Sequence, residues 1–428
     1  MSKKDKKNIF ICEKCGNEFA KWSGQCSACL AWNTLKELSI DFSSTAAGKV
    51  DEATLIRLDQ IDNAKITRFT SSLSEFDLVL GGGIIPGEVF LLGGDPGVGK
   101  STLLWQVACL ILQNVIYVAG EESPEQIKLR AQRISQKYDN VFVIDNPDIL
   151  SWSSVVKKSK PRLLIIDSIQ TIYDSSVPSS PGSVLQIKHC TNKIIRLAKD
   201  NSIATAIIGH VTKEGEVAGP RTLEHMVDAV FYLEGEKEQS ERFLRSNKNR
   251  FGPTDEMGVF NLGEKGLLSA SEFGRIKPEV SVPFGLSRTA VLEGSRTYVV
   301  EVQALVQKSS FGFAKRNSVG YDLNRLLMMV AIASNHLGID LSDKDIFLNV
   351  AGGYKIRDPL CDLSVISAIV SAFYKKPLRG DRIVVGEVDL AGRVHLPSQA
   401  KKIIKDAQKL GYQIDLQKEL SKKTIFED

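Results

Sequence analysis

The chain has no apolar run approaching the roughly 18 to 20 residues that a membrane-spanning helix requires. Its start, MSKKDKKNIFICEKC, is basic but lacks the apolar stretch of a secretory signal. Those absences make the cytoplasm the expected location and argue against a membrane partner. No internal repeat or low-complexity tract is present, which excludes repeat arrays. Charge of one sign is not in excess either: 55 Lys and Arg face 51 Asp and Glu, a net +4, so any surface for nucleic acid has to be local. Cysteine is scarce, at seven residues, and this makes its clustering informative.

A chain of 428 residues with 43% hydrophobic and 25% charged residues has room for two or three globular domains. Residues 1–35 form a small cysteine module. Residues 36–65 read as a linker, with SIDFSSTAAGKV (39–50) at its most polar. From 66 to 272, short apolar strands alternate with helical stretches such as 101–113 and 184–200. The strands are VFLLGG (89–94), VIYVAG (115–120), VFVID (141–145), LLIID (163–167), TAIIGH (205–210) and AVFYLEG (229–235). Continuous apolar strands between helices predict an α/β core with a mostly parallel sheet covered on both faces. Residues 273–428 predict an α+β domain: a strand at 297–307, helices at 321–338, 363–376 and 399–412, and a hairpin at 382–396.

Cys12, Cys15, Cys26 and Cys29 follow the pattern C-x2-C, ten residues, C-x2-C, that of a four-thiolate Zn2+ site. In a reducing compartment two disulfides are disfavoured, and a module this short needs the metal to fold. Trp22 and Trp32 flank the second pair; they could pack over the metal core or stack on a base or partner. The scattered Cys109, Cys190 and Cys361 read as small buried hydrophobes.

GDPGVGKS fits G-x-x-x-x-G-K-[ST], after a strand and before the helical STLLWQVACLILQ. Gly94, Asp95, Pro96, Gly97, Val98 and Gly99 are expected to fold so that backbone N–H groups meet phosphate oxygens. Lys100 would add a point charge for the β- and γ-phosphates and Ser101 a Mg2+ ligand, with Thr102 opening the helix. Asp167, ending an apolar strand, is the expected acid of the Mg2+ shell, and Glu121 or Glu122, past the strand after the phosphate helix, would orient the attacking water. Glu121 is the preferred candidate, against a helix-start charge as the plain alternative. His210 could sense the γ-phosphate or simply end its strand. SNKNRFGPT (246–254) puts Lys248 and Arg250 beside a Gly-Pro turn, and on pattern alone this is a solvated basic loop.

CEKCGNEFAKWSGQCSACLAWNTL, EFDLVLGGGIIPGEVFLLGGDPGVGKSTLL, YVAGEESPEQIKLRAQRI, LLIIDSIQT and NKNRFG together resemble the bacterial RadA (Sms) family of DNA repair proteins along nearly the whole chain. The resemblance implies a RecA-like, ATP-hydrolysing core in a ring, hexameric in expectation, that moves single-stranded or branched DNA during recombination, with a recombinase or replicative helicase as possible partner. It also implies that Lys248-Asn249-Arg250-Phe251-Gly252 is a functional signature. Arg250, with Lys248, would then reach a neighbouring subunit's γ-phosphate; a solvated turn and a DNA contact stay open as alternatives. Motors of this type hold DNA on loops, and Lys213 and Arg221 within 209–228 are the candidate contacts, although Glu214 and Glu216 weaken the electrostatic case.

The tail, in AGGYKIRDPLCDLSVISAIVSA and GEVDLAGRVHLPSQAKKIIKDAQKLGY, resembles the protease domain of Lon. Cys361 stands where that family carries its serine, Asp362 follows, and Lys401 or Lys402 lies near the partner position behind PSQA instead of glycines. This departure argues against proteolysis and for an assembly or DNA-binding platform, to which Lys355, Arg357, Arg379, Arg382 and Arg393 would contribute. Two rival readings are a RecA-like regulatory ATPase acting on protein partners and an ATP-linked protease.

Overall fold

Strand β1 (Lys7–Cys12) is the middle of a three-stranded sheet, paired antiparallel with β2 (Glu18–Phe19) and β3 (Leu35–Ile40). The structure, a computed structural model, describes residues 7–12, 18–40, 55, 57–60, 67–134, 137–209, 221–235, 239–269, 276–309, 313–396, 400–415 and 418–426. The chain divides into two compact units, Met1–Lys237 with Arg242–Ser269, and Glu238–Glu241 with Ala270–Asp428. Among the described residues no helix is long and apolar enough to cross a membrane.

Besides the three-stranded sheet, the first unit holds a nine-stranded one. Its elements run α1 (Ser74–Val79), β4 (Val89–Gly93), α2 (Lys100–Leu110), β5 (Val115–Ala119), α3 (Pro124–Ile134), β6 (Val141–Ile144), α4 (Ile149–Ser159) and β7 (Leu163–Asp167). They continue with α5 (Val184–Asn201), β8 (Ala204–Ile208), α6 (Arg221–Glu224), β9 (Ala229–Glu234), β10 (Glu241–Asn249), β11 (Met257–Gly263) and β12 (Gly266–Ser269). The strand order is β12-β11-β10-β9-β4-β8-β7-β5-β6. The six strands from β9 to β6 are parallel, and β10 joins β9 antiparallel.

Alternation along each central strand feeds two cores. Phe90 and Leu92 point to one face with Trp105, Tyr117 and Phe231, while Val89 and Leu91 point to the other with Trp152, Ile166 and Ile187. Helix α2 is buried at Leu103, Leu104, Trp105, Val107 and Ala108, as expected of a helix apolar almost all round. Gln106 anchors it to the sheet edge, donating to the Leu267 carbonyl at 3.0 Å and accepting from its N–H at 2.8 Å. Two sequence expectations need adjusting here. The helix begins at Lys100, before Thr102, and the basic run is strand through Asn249, with only its end turning.

In the second unit β13 (Leu286–Glu293), β14 (Arg296–Lys308), β15 (Arg316–Val319) and β16 (Lys344–Val350) form a sheet ordered β13-β14-β16-β15, with helices α7 (Leu323–Leu337) and α8 (Asp362–Tyr374). The segment expected to be one hairpin at 382–396 serves two sheets. β17 (Arg382–Val384) pairs in parallel with β20 (Gln413–Asp415), across α9 (Ala400–Lys409); only β18 (Glu387–Val388) and β19 (Val394–His395) form a hairpin. Val384 is inside and its partner strand lies beyond the helix, so local alternation could not reveal the pairing.

Candidate nucleotide site and metal centre

The loop between β4 and α2 requires glycine for two reasons. Gly94, Gly97 and Gly99 lie at φ 145°, 81° and 113°, the region that turns successive N–H groups toward one point. A Cβ on Gly94 would also stand 2.4 Å from the Leu233 carbonyl oxygen of β9. Arg242 of β10 braces the loop from beneath, its Nε donating to the Val98 carbonyl at 3.0 Å. Asp95, Pro96 and Gly97 are exposed, whereas Lys100 is buried, with Nζ donating to the carbonyls of Gly94 (2.8 Å) and Asp95 (3.0 Å). Burial pulls the Lys100 pKa down, against the opposing pull of Asp167, Asp95 and Glu121.

Asp95 belongs to the loop itself, whereas Asp167 and Glu121 come from neighbouring strand ends. β5 pairs with β7 so that Ala119 lies beside Asp167, and Gly120 follows at a point where a Cβ would collide with Thr171. Ser101, Tyr117, Ala119, Glu121, Glu122 and Asp167 line one small cleft. A hydroxyl and a carboxylate in the same cleft fit a hard divalent cation such as Mg2+. The two glutamates differ. Glu122 is paired with Arg130 at 3.0 Å, and Arg130 also donates to the Tyr117 hydroxyl, which hydrogen-bonds Asp167. Glu121 is exposed and accepts from the Ser168 hydroxyl, next to Asp167. Tyr117, Arg130, Ser168 and Arg242 went unremarked in the sequence. A tyrosine in the otherwise aliphatic VIYVA was the available signal, because a buried phenol needs a partner.

Lys248 and Arg250 lie at the other end of the same sheet. β9 runs parallel to β4 with Phe90 beside Ala229 and Gly93 beside Tyr232, and β10 returns to place Asn249 beside Ala229. Val89 donates to the buried Asp228 carboxylate at 3.2 Å, and the Arg250 guanidinium stands 3.5 Å from that carboxylate. From Val89 to Gly93 is about 13 Å of strand at roughly 3.3 Å per residue, and the phosphate loop begins only beyond it. The chain's own basic pair therefore stands at the opposite end of the sheet from its own phosphate loop. Asp228, another residue missed in the sequence, was signalled only by an acid placed just before an apolar strand.

In the first sheet, Cys12, Cys26 and Cys29 bring their sulfurs within 4.8 Å of one another, with Cys12 and Cys29 at 3.6 Å. Tetrahedral thiolates at about 2.3 Å from zinc stand about 3.8 Å apart, so the set fits Zn2+. Cys15 lies outside the described residues. The cysteines are themselves the interior of this sheet, with Leu35 and the half-buried Phe10 and Phe19. Trp22 and Trp32 are 59% and 70% exposed, so they do not pack over that centre.

Residues 56–216 match the family model of an AAA domain, and residues 10–37 that of the rubredoxin metal binding domain. A DNA repair protein RadA of Pseudomonas aeruginosa is 41% identical over 415 residues, 95% of this chain and 91% of the relative. That of Escherichia coli K12 is 39% identical over 419 residues, with the same two coverages. The chain belongs to the RadA family. Among solved structures, the KaiC-like protein PH0186 of Pyrococcus horikoshii covers 48% of this chain and 99% of its own, at 18% identity and a TM-score of 0.41.

In the second unit Cys361 is fully buried, its thiol pKa pushed up by that burial, and it accepts from Thr289 at 3.6 Å. Asp362 accepts from Tyr321 (2.7 Å), from Arg325 Nε (2.7 Å) and NH2 (2.6 Å), and from Val388 N–H (3.3 Å). Lys401 and Lys402 are exposed, and Lys402 donates to the Ser295 carbonyl at 2.7 Å. The thiol is thus closed to solvent and stands beside a salt-bridged carboxylate. Of the tail's basic residues, Lys355 and Arg357 are exposed, while Arg379 and Arg393 are paired with Asp381 and Asp389. Arg379 and Arg382 also line a groove with Lys376 and Phe426. His210 and Lys213 lie outside the described residues, and Arg221 opens α6.

Proposed function

We propose that this chain is a DNA-dependent ATPase of recombination and repair, which moves single-stranded or branched DNA and hydrolyses ATP at a site shared between subunits. The observation that carries this reading is the placement of phosphate loop and basic pair at opposite ends of β4 and β9. One copy's loop, from Gly94 to Thr102, would hold the triphosphate, with Lys100 on the β- and γ-phosphates. Ser101 and Asp167 would hold Mg2+, which supplies charge neutralisation when bound. Glu121 would orient the attacking water, since Glu122 is committed to Arg130. Arg250, its side chain 57% exposed, would reach the γ-phosphate of the next copy and offset charge developing in the transition state.

Such a site works only in an assembly, and a closed ring, a hexamer in our reading, serves every loop. The zinc sheet, with two exposed indoles, would contact DNA or a recombinase or helicase partner, and the second unit would act as a platform without proteolysis. ATP turnover with and without single-stranded DNA tests the motor; a rate indifferent to DNA would favour a regulatory ATPase acting on proteins. Mixing Lys100→Ala with Arg250→Ala chains should restore part of the activity that each lacks alone. Failure at every mixing ratio would overturn the shared site.

A further inference from the structure

We infer that Lys248 and Asp228 are positioning residues, and that of the two cations only Arg250 is delivered to a neighbour; this rests on reading Arg250 as the cation lent across subunits. The two side chains are held very differently. The Lys248 ammonium donates to the carbonyls of Val227 (2.7 Å) and Glu224 (2.8 Å), with that of His225 at 3.5 Å. An ammonium has three protons and no more. Three carbonyls in the α6–β9 connection account for all of them, and reaching a phosphate would strip those oxygens of their donor.

Arg250 is tethered through its backbone. Its N–H donates to the Asp228 carbonyl at 3.1 Å, while its guanidinium makes a long 3.5 Å contact to the Asp228 carboxylate and stays largely exposed. Asp228 is itself bonded on several sides. Its carboxylate accepts from Val89 N–H and from Lys199, each at 3.2 Å, and its own N–H donates to the Val89 carbonyl at 2.9 Å. The turn beyond Arg250 is stitched down as well: Asn249 accepts from Phe251 N–H at 2.9 Å, and Arg68 donates to the carbonyls of Leu80 and Gly83 and to that of Phe251. A register shift between Ser246 and Lys248 sets the strand end so that Lys248 stands beside Val230. Lys248 thus clamps the connection that ends in Asp228, and Asp228 sets where the guanidinium begins its reach.

A double-mutant cycle on ATP turnover by the full chain with single-stranded DNA tests this. Arg250→Ala should lower kcat by about 10³-fold or more, the range of a transition-state arginine. Lys248→Ala should lower kcat by about 10- to 100-fold through misplacement, with KM for ATP unchanged. In the double variant kcat should equal that of Arg250→Ala alone, and Lys248→Arg, which can still donate to the carbonyls, should recover most of the loss. Asp228→Asn should lower kcat in the same direction as Lys248→Ala, again at constant KM. Multiplying losses in the double variant, or wild-type turnover in Lys248→Ala, would overturn the inference. Normal kcat in Arg250→Ala would instead overturn the shared-site reading beneath it.

Discussion

Helices α2 and α8 each follow a proline-containing turn that carries a sequence motif of catalytic type, and the two turns fold in opposite senses. Before α2, left-handed glycines leave Asp95, Pro96 and Gly97 in solvent, and the cleft beside Ser101 and Asp167 stays open. Before α8, Asp358 caps the turn by accepting from Leu360 N–H at 3.0 Å, Cys361 is sealed off, and Asp362 takes four donors. The first turn directs its polar groups toward a ligand; the second consumes them in holding α7, α8 and β18 together. Motif resemblance speaks for chemistry only where the backbone leaves room for a substrate.

Four measurements put that contrast at risk. Removing the ammonium at the open turn, Lys100→Ala, should lower ATP turnover by at least about 10²-fold with the fold intact; normal turnover would erase the distinction. At the closed turn the loss should fall on stability. Asp362→Ala leaves the Tyr321 hydroxyl without its buried acceptor, while the part-exposed Arg325 keeps Glu387 at 3.7 Å, and should cost about 1–3 kcal/mol by denaturant titration.

Glu88, just before β4, is a buried carboxyl whose nearest bond is from Ile85 N–H at 3.1 Å. Burial, with a smaller push from Asp228, takes its pKa up to about 7 from 4.5. The folded chain then keeps a proton that the unfolded chain releases, so this contribution to stability is present below pH 4.5 and is lost as pH rises through about 7. Between about pH 5.5 and 8 the loss should be about 2 kcal/mol, and Glu88→Gln should flatten the profile of unfolding midpoints. Smallest of all, Cys361→Ala should leave ATP turnover within about twofold, because a buried protonated thiol is no nucleophile. Peptide hydrolysis that disappears with that substitution would restore a catalytic reading of the turn before α8.

Features carried by local rules were legible in the sequence. Aliphatic runs of the length of a buried strand marked β4, β5, β7, β8 and β9, and the glycine spacing marked the loop between β4 and α2. Features that depend on distant partners were not. ERFLRSNKN mixes polar and apolar residues, so the end of β10 from Ser246 onward read as a solvated basic loop. The chain from Asp167 through Tyr117 and Arg130 to Glu122 joins three elements by side chains that no spacing connects. The indoles of Trp22 and Trp32 were expected over the metal core before a base or a partner, yet they stand exposed, because the sheet's small interior is filled by the cysteines themselves.

Gly81 and Gly252 touch backbone to backbone: a Cβ on Gly81 would stand 3.0 Å from the Gly252 Cα, and one on Gly252 3.2 Å from the Gly81 Cα. A methyl group at either position would crowd the facing backbone, so two stretches far apart in the chain are packed as one. An alanine at either would push the arginine-bearing turn off its seat without altering any residue that meets nucleotide. Damage there would masquerade as a catalytic defect while nucleotide affinity stayed normal.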